Sequence, residues 1–349
     1  PGSGRYHCRM QCTALLPALI WPVSDLPDIY HDLPLPNLQW LLGRARRTPE
    51  PLTLEGWLQR QLGLPAALPV AALTAAIDGL QVDGVLLRAD PVHLQVNMEQ
   101  LLLVPGDAIG IEQDDADPLI ATLNRHFADD GLTFYAPQPQ RWYVALRQAA
   151  AVEHVPLAQV AGNDIHRHLP QGPDALHWHG WLNEIQMLLY THPANDAREQ
   201  RGQPPINSVW FWGGGELPPA GDWPWAQTCG DQLLLRALAR HAGTACQPLP
   251  QRADAWLQQL TGDKALLLLD QLQTPALYGD AYQWRESLKQ LDREWFGPLR
   301  QALQRGRIGE LELIAPGAIR ASIGGSARWQ FWRRPLPLSA LAHSLNQTK

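Results

Sequence analysis

The sequence predicts an α/β layer fold with a mostly parallel sheet and a smaller α+β subdomain inserted into it. Three observations lead there. Short, nearly continuous apolar runs alternate with longer stretches of helical periodicity, as expected when helices cover both faces of a sheet. The runs are Ala14–Trp21, Asn207–Trp212, Ala265–Asp270, Glu310–Ala315 and Trp329–Trp332. Residues 64–140 break this rhythm with shorter alternating pieces. The chain has 349 residues, 45% hydrophobic and 18% charged, enough to bury a large core shared between about two domains.

In chain order, Pro1–Gly4 reads as a cloning remnant. Thr13–Trp21 follows Arg5 and Arg9 and faintly resembles a secretory leader, but Pro17 interrupts it and no small-residue cleavage site follows. It reads as a buried strand. Between 64 and 140, Val82–Leu87 and Leu101–Val104 are short strands. Asp83-Gly84 and Pro105-Gly106 are turns, and Glu112 to Asp117 is an acidic cluster. Ala136–Gln140 and the loop Ala161–Pro173 are seams on its far side. The expected division is therefore 5–63 for the first part of the core, 64–140 for the insertion and 141–349 for the rest. Pro173-Asp174 starts a helix whose Trp178, Leu182, Ile185 and Leu189 form one stripe until His192-Pro193 stops it. Leu233–Arg240 is a second helix, closed by Gly243. Ala281–Gln304 is a third, with Trp284, Leu288, Leu291 and Trp295 at helical spacing and a break at Gly297-Pro298.

Composition excludes several functions. Lys+Arg 28 against Asp+Glu 34 gives a net charge of −6, without the positive field that nucleic-acid binding requires. No apolar run reaches the roughly 18–20 residues of a membrane span. Cys8, Cys12, Cys229 and Cys246 are too few and scattered for a disulfide framework, so a reducing cytoplasm is the expected location.

Several constellations could carry chemistry. His166, His168, His177 and His179, with Glu184 and His192, form the densest set of metal-ligand types. On a helix, however, His177 and His179 diverge by about 200°. The set reads as a single-metal site, as packing and capping histidines, or, with Arg167, as an anion-binding surface. Gly213–Gly215 follows an apolar run, either as a ligand-cradling loop or as a close-packed turn. It is no Walker A, lacking Lys-Ser or Lys-Thr, and no dinucleotide fingerprint, because Pro218-Pro219 falls where the helix should begin. No Gly-x-Ser-x-Gly elbow appears. Cys8 and Cys12 form a lone C-x₃-C. Asp25, Asp28, His31 and Asp32 cluster after the first strand, as a solvated loop or a metal site.

The succession Leu169-Pro-Gln-Gly-Pro-Asp174, Leu182-Asn-Glu184, Thr191-His-Pro-Ala-Asn195, Gly202-Gln-Pro-Pro-Ile-Asn207 and Trp210-Phe-Trp-Gly-Gly-Gly215 resembles the archaeal type of cofactor-independent phosphoglycerate mutase. Leu35-Pro-Asn37-Leu38 is similar to a helix start of the wider alkaline-phosphatase superfamily. Gly279-Asp280 with Leu288, Leu291, Asp292 and Gly297-Pro298-Leu299 looks like the mutases' helix before their final strand. Over most of its length, including Ala89-Asp-Pro-Val-His-Leu94 and Phe331-Trp-Arg-Arg334, the chain resembles the bacterial RpfE-type regulatory proteins. The resemblance implies an alkaline-phosphatase-like three-layer core, two divalent metals such as Mn or Zn held by Asp and His clusters, and a Ser or Thr nucleophile.

The chain departs from that pattern. Trp21-Pro22-Val23-Ser24 stands where an Asp-Gly metal loop belongs, and Leu35 where a hydroxyl residue precedes Pro-Asn. Gln271–Tyr278 offers neither the expected Asp nor His, and the final strand ends Ile314-Ala315-Pro316-Gly317 instead of in Asp-His-Gly. The expectation is a catalytically degenerate member, without resident cofactor, serving as a regulatory or binding protein for a protein or small phosphorylated ligand. Asn207, Gly213, Gly214, Gly215, Arg141, Asn183 and Glu184 are the candidate binding residues. The alternatives are a metal-dependent mutase or phosphatase with migrated ligands at Asp25, Asp28, His31 and Asp32, and a single-metal protein using the His166–His192 segment.

Overall fold

Helices and strands follow the apolar patterning into two sheets. The computed structural model describes residues 10–22, 27–63, 68–82, 84–97, 100–147, 151–217 and 219–346. Pro1–Gly4, Arg5, Cys8, Arg9, Val23, Ser24, Asp25 and Asp83 lie outside the described residues. The strands among them are β1 (Gln11–Leu15), β2 (Arg46–Pro49), β3 (Val85–Asn97), β4 (Gln100–Pro105), β5 (Leu132–Gln138), β6 (Arg141–Leu146), β7 (Ser208–Trp212), β8 (Gln227–Cys229), β9 (Cys246–Gln247), β10 (Lys264–Leu268), β11 (Glu310–Ala315) and β12 (Ile319–Gly324). The chain divides into two compact units, Pro1–Leu64 with Ala220–Lys349, and Pro65–Pro219. The second unit takes in chain well past residue 140.

The first unit holds a seven-stranded sheet ordered β2-β12-β11-β1-β10-β8-β9. β1 lies at its centre, parallel to β10 on one edge and to β11 on the other. β10 with β8 and β8 with β9 are also parallel, while β12 pairs antiparallel with β11 and with β2. The sheet is therefore mostly parallel, as its apolar strands indicate: Ala14, Ala265, Leu266, Leu267, Leu311 and Leu313 are buried, whichever face they project from. The helix Ala281–Leu291 buries Trp284, Leu288 and Leu291, each leucine contributing about 1.5–3 kcal/mol. The break expected at Gly297-Pro298 is a π-turn, Asp292–Phe296, after which the helix resumes over Gly297–Gln304. Pro298 is tolerated because it falls in the first turn of the resumed helix.

Two strand expectations are corrected. Trp329–Trp332 forms no strand: it ends a 3₁₀ turn, Gly325–Trp329, and runs into a bend, leaving Trp329, Phe331 and Trp332 exposed. A four-residue aromatic run has no period that separates a covered strand from a surface segment. Ala14–Trp21 is a strand only to Leu15, although Leu16, Leu19 and Trp21 remain buried.

The second unit is built on the 13-residue β3. β6 and then β4 pair antiparallel along one edge of β3, and β7 pairs antiparallel along the other. β5 pairs with β6. Asn207–Trp212 thus contributes to an antiparallel sheet rather than to the parallel core. The helix Ala175–Tyr190 packs Trp178, Leu182, Ile185 and Leu189 into this unit's core with Phe211, Trp142 and Phe127. Among the described residues no helix is long and apolar enough to cross a membrane.

Candidate functional site

The residues singled out in the second unit are mostly engaged with their own backbone. The Asn207 side chain extends β7 as one more rung: its Oδ1 accepts from Leu94 N at 2.7 Å and its Nδ2 donates to Leu94 O at 2.9 Å. Asn195 does the same locally, bonding Leu189 O and Ile206 O and accepting from Ile206 N, all at 2.7–2.8 Å. The Gly213–Gly215 run packs on the start of the helix Val70–Ile77. Gly213 O accepts from Ala71 N at 2.8 Å. A Cβ on Gly213 would lie 3.0 Å from Val70 Cβ, and one on Gly214 3.1 Å from Leu87 Cγ. These contacts give the glycines a packing role: at Gly213 only a residue without Cβ fits a positive φ at so close an approach, and at Gly214 the close approach of Leu87 alone disfavours a Cβ.

Arg141 forms a fork with Asp78, with Nε to Oδ2 at 2.6 Å and Nη2 to Oδ1. The Tyr143 hydroxyl donates to the same carboxylate at 2.6 Å and lies 3.0 Å from Thr74 Oγ1. Burial pushes the Asp78 carboxyl up, but the bonds from Arg141 and Tyr143 outweigh it and hold the group below the usual carboxylate range. Arg88 lies 5.3 Å from the centroids of both Tyr143 and Trp212 and donates to Asp90 Oδ1, while Trp212 Nε1 donates to Asp90 Oδ2 at 2.7 Å. Burial pushes the Asp90 carboxyl up against these partners. Sequence reasoning missed this buried cluster, although two charges inside the apolar stretch Leu86–Leu94 are its signal. Asn183 is exposed, and Glu184 is half-exposed with Oε2 2.8 Å from His126 Nε2.

The histidines are dispersed. His166 Nδ1 is 2.7 Å from Asp164 Oδ1, His179 Nε2 is 2.9 Å from Pro170 O, and the His177 ring stacks edge-on against Trp181 at 4.1 Å. His192 caps the next helix, accepting from Ala194 N, and its Nε2 is 3.0 Å from Thr122 Oγ1. His168 joins His154 and Trp210 around a small crevice. Among the described residues no three His, Cys, Asp or Glu side chains gather as a metal-ligating group.

In the first unit, ligands of an α/β fold belong at the carboxyl ends of the parallel strands. Leu16-Pro17-Ala18 follows β1, Gly230-Asp231 follows β8, Leu269-Asp270-Gln271 follows β10 and Pro316-Gly317 follows β11. Asp231 and Asp270 are the acids there. Burial pushes the Asp270 carboxyl up, and the charge of Asp231 adds to the shift. A cleft of about 680 Å³ opens beside these ends, lined by Asp231, Gln271, Ser287 and Glu294. Asp28, His31 and Asp32 are exposed, and Arg285 pins their loop by donating to the carbonyls of Ile29 and Asp32. Leu35 is fully buried at the start of the helix Pro36–Arg44. That helix is capped from a distance: Asp292 in the π-turn accepts from Leu38 N at 2.7 Å and Asn37 N at 3.3 Å. Nothing in the local sequence marks Asp292 for this role.

Comparison with known proteins adds the family context. No family model matches the chain. It is 30% identical over 140 residues to a 2,3-bisphosphoglycerate-independent phosphoglycerate mutase of Methanosarcina mazei, covering 39% of this chain and 35% of that protein. A probable enzyme of the same name from Geobacter sulfurreducens is 28% identical over 149 residues, covering 42% and 37%. The chain thus spans about a third of the length of the curated relatives it matches. Among solved structures, a cofactor-independent phosphoglycerate mutase from Thermoplasma acidophilum aligns with a TM-score of 0.50 and 14% identity, covering 97% of this chain and 99% of the other. A Pyrococcus horikoshii protein aligns at 0.55 and 14%, covering 97% and 96%. The chain is therefore homologous over part of its length to cofactor-independent phosphoglycerate mutases and has a phosphoglycerate-mutase-like fold.

Proposed function

We propose that this chain is a phosphoglycerate-mutase-like protein that no longer transfers phosphoryl groups and has a binding or regulatory role in the cytoplasm, like the RpfE-type proteins it resembles. One observation carries the reading: among the described residues, the strand ends where the resemblance would place two divalent cations present Leu16, Pro17, Ala18, Pro316 and Gly317, with Asp231 and Asp270 as the acids directly following the strands. Two adjacent dications need several carboxylates or imidazoles to neutralise them, and alkyl chains cannot substitute. The donors present do not fit such a centre. The buried Leu35 supplies no hydroxyl at the helix start.

The occupant is a protein or a small phosphorylated ligand. Asn183 faces solvent and stays available to it, Glu184 is half-exposed and already paired with His126, and Asn207, Arg141 and Gly213–Gly215 already serve the fold. The test is a coupled assay for interconversion of 2- and 3-phosphoglycerate, with and without added Mn²⁺. No turnover in either condition is expected. Turnover that depends on Mn²⁺ would restore the reading of a metal-dependent mutase or phosphatase.

A further inference from the structure

We propose that Arg44 and Arg300, which converge on the indole of Trp40, form a binding site for a phosphate-class oxyanion, free or carried on a small organic molecule. The two guanidinium carbons lie 4.3 and 4.8 Å from the Trp40 ring centroid. Arg44 closes the helix Pro36–Arg44, and Arg300 lies on the helix Gly297–Gln304. Two like charges are thus held against one side chain that is itself 8% exposed.

The pair is under-compensated. Arg44 Nε and Nη1 are both buried and have no hydrogen-bond acceptor among the described residues. The indole face attracts the charge, and the carbonyl end of the helix helps, but neither gives these donors a strong oxygen acceptor. Leaving buried charged donors unpaired is costly. Arg300 is better placed, with Nη1 3.4 Å from Asn37 Oδ1 and the charge of Asp292 near by. Asp292 does not serve Arg44, because its oxygens are committed to Leu38 and Asn37. Burial lowers the pKa of both arginines, and for Arg44 the neighbouring Arg300 lowers it further.

An oxyanion accepting from Arg44 would give its unpaired donors an acceptor and offset the like charge of Arg300, and the fork geometry of guanidinium matches phosphate oxygens. Both arginine side chains are half-buried, so the site has a solvent-facing side. The adjoining segment adds positive charge: the Arg334 carbonyl lies directly against Gly43, where a Cβ would collide, and the Arg333 and Arg334 side chains are exposed. The site is independent of the proposed loss of turnover.

Calorimetric titration at constant ionic strength tests it, with orthophosphate in one arm and 3-phosphoglycerate in the other. Saturable binding in either arm is expected, weakened about tenfold or more in Arg44→Gln and in Arg300→Gln and unchanged in Arg252→Gln, whose residue lines the cleft beside Asp231 and Glu294. Arg44→Lys keeps the charge but loses the fork, so it should fall between parent and Arg44→Gln, and it serves if the glutamine variants fail to fold. Equal affinity for the two ligands assigns the site to free phosphate; tighter binding of 3-phosphoglycerate assigns it to a phosphorylated organic ligand. No binding of either at millimolar concentrations, or binding that survives all these Arg44 and Arg300 variants, would overturn the proposal.

Discussion

Replacing Arg198 with methionine should destabilise the second unit far more than the same change at Arg201, although both arginines bond the same carboxylate. The Arg198 side chain is 0% exposed. It donates to Asp115 Oδ2 at 2.5 Å, Ile109 O at 2.7 Å, Pro204 O at 2.9 Å and Gly110 O at 3.2 Å, joining three separate segments. Methionine fills a similar length without any donor, so three carbonyls and one carboxylate oxygen lose their partner. Breaking a buried ion pair costs about 3–5 kcal/mol. Arg201 Nη2 still reaches Asp115 Oδ1 at 2.6 Å, which keeps the carboxylate compensated and places the cost near the lower end, about 3 kcal/mol. Arg201 is 48% exposed, and its removal should cost about 0–1 kcal/mol. Equilibrium unfolding in urea, compared at equal m-values, separates a change of about a hundredfold in the folding constant from one of a few-fold. Equal effects of the two substitutions would refute the reasoning.

Three further outcomes follow from the same geometry. Gly213→Ala places a Cβ 3.0 Å from Val70 Cβ at a φ of +67° and should cost about 1–3 kcal/mol in the same assay, whereas a flexible ligand loop would tolerate it. Asn207→Ala removes two bonds to the Leu94 backbone and should cost about 2 kcal/mol; a stability unchanged from the parent would leave the residue free for a ligand. His154 sits edge-on to Trp178 at 4.6 Å, its Nε2 is buried without a hydrogen-bond partner among the described residues, and burial lowers its pKa to about 4. The unfolded chain takes up that proton near pH 6.5, so the contribution is whole above 6.5 and shrinks as pH falls towards 4, by about 1.4 kcal/mol per unit and about 3 kcal/mol in all. His154→Phe should show a correspondingly shallower loss of stability between pH 6.5 and 4.5 in urea titrations, and a slope equal to the parent's would contradict the assignment.

The parallel sheet was legible because its strands are covered on both faces and read as apolar runs, and the helix stripes at Trp178–Leu189 and Trp284–Leu291 fixed which faces are buried. The same signal misassigned Asn207–Trp212. β7 is also buried on both faces, but it pairs with β3, more than a hundred residues earlier, and no local pattern encodes that partner. This return also explains why the second unit extends to Pro219. Two amides in the motifs that resemble those of the mutases are backbone clasps: Asn195 bonds the main chain of Leu189 and Ile206, and Asn207 bonds both main-chain groups of Leu94. Composition alone cannot tell a clasping amide from a ligand-binding one. Arg198, Asp292 and the Arg44–Arg300 pair were invisible because each acts through contacts distant in sequence.

Metal stoichiometry tests the central claim most directly. The protein, purified without a polyhistidine tag, would be equilibrated with Mn²⁺ or Zn²⁺, exchanged into metal-free buffer and analysed for bound metal per chain. The donor set at the strand ends leads to the expectation of no stoichiometric metal. Two equivalents retained per chain would contradict the account and place a metal-dependent centre among residues that it assigns to other roles.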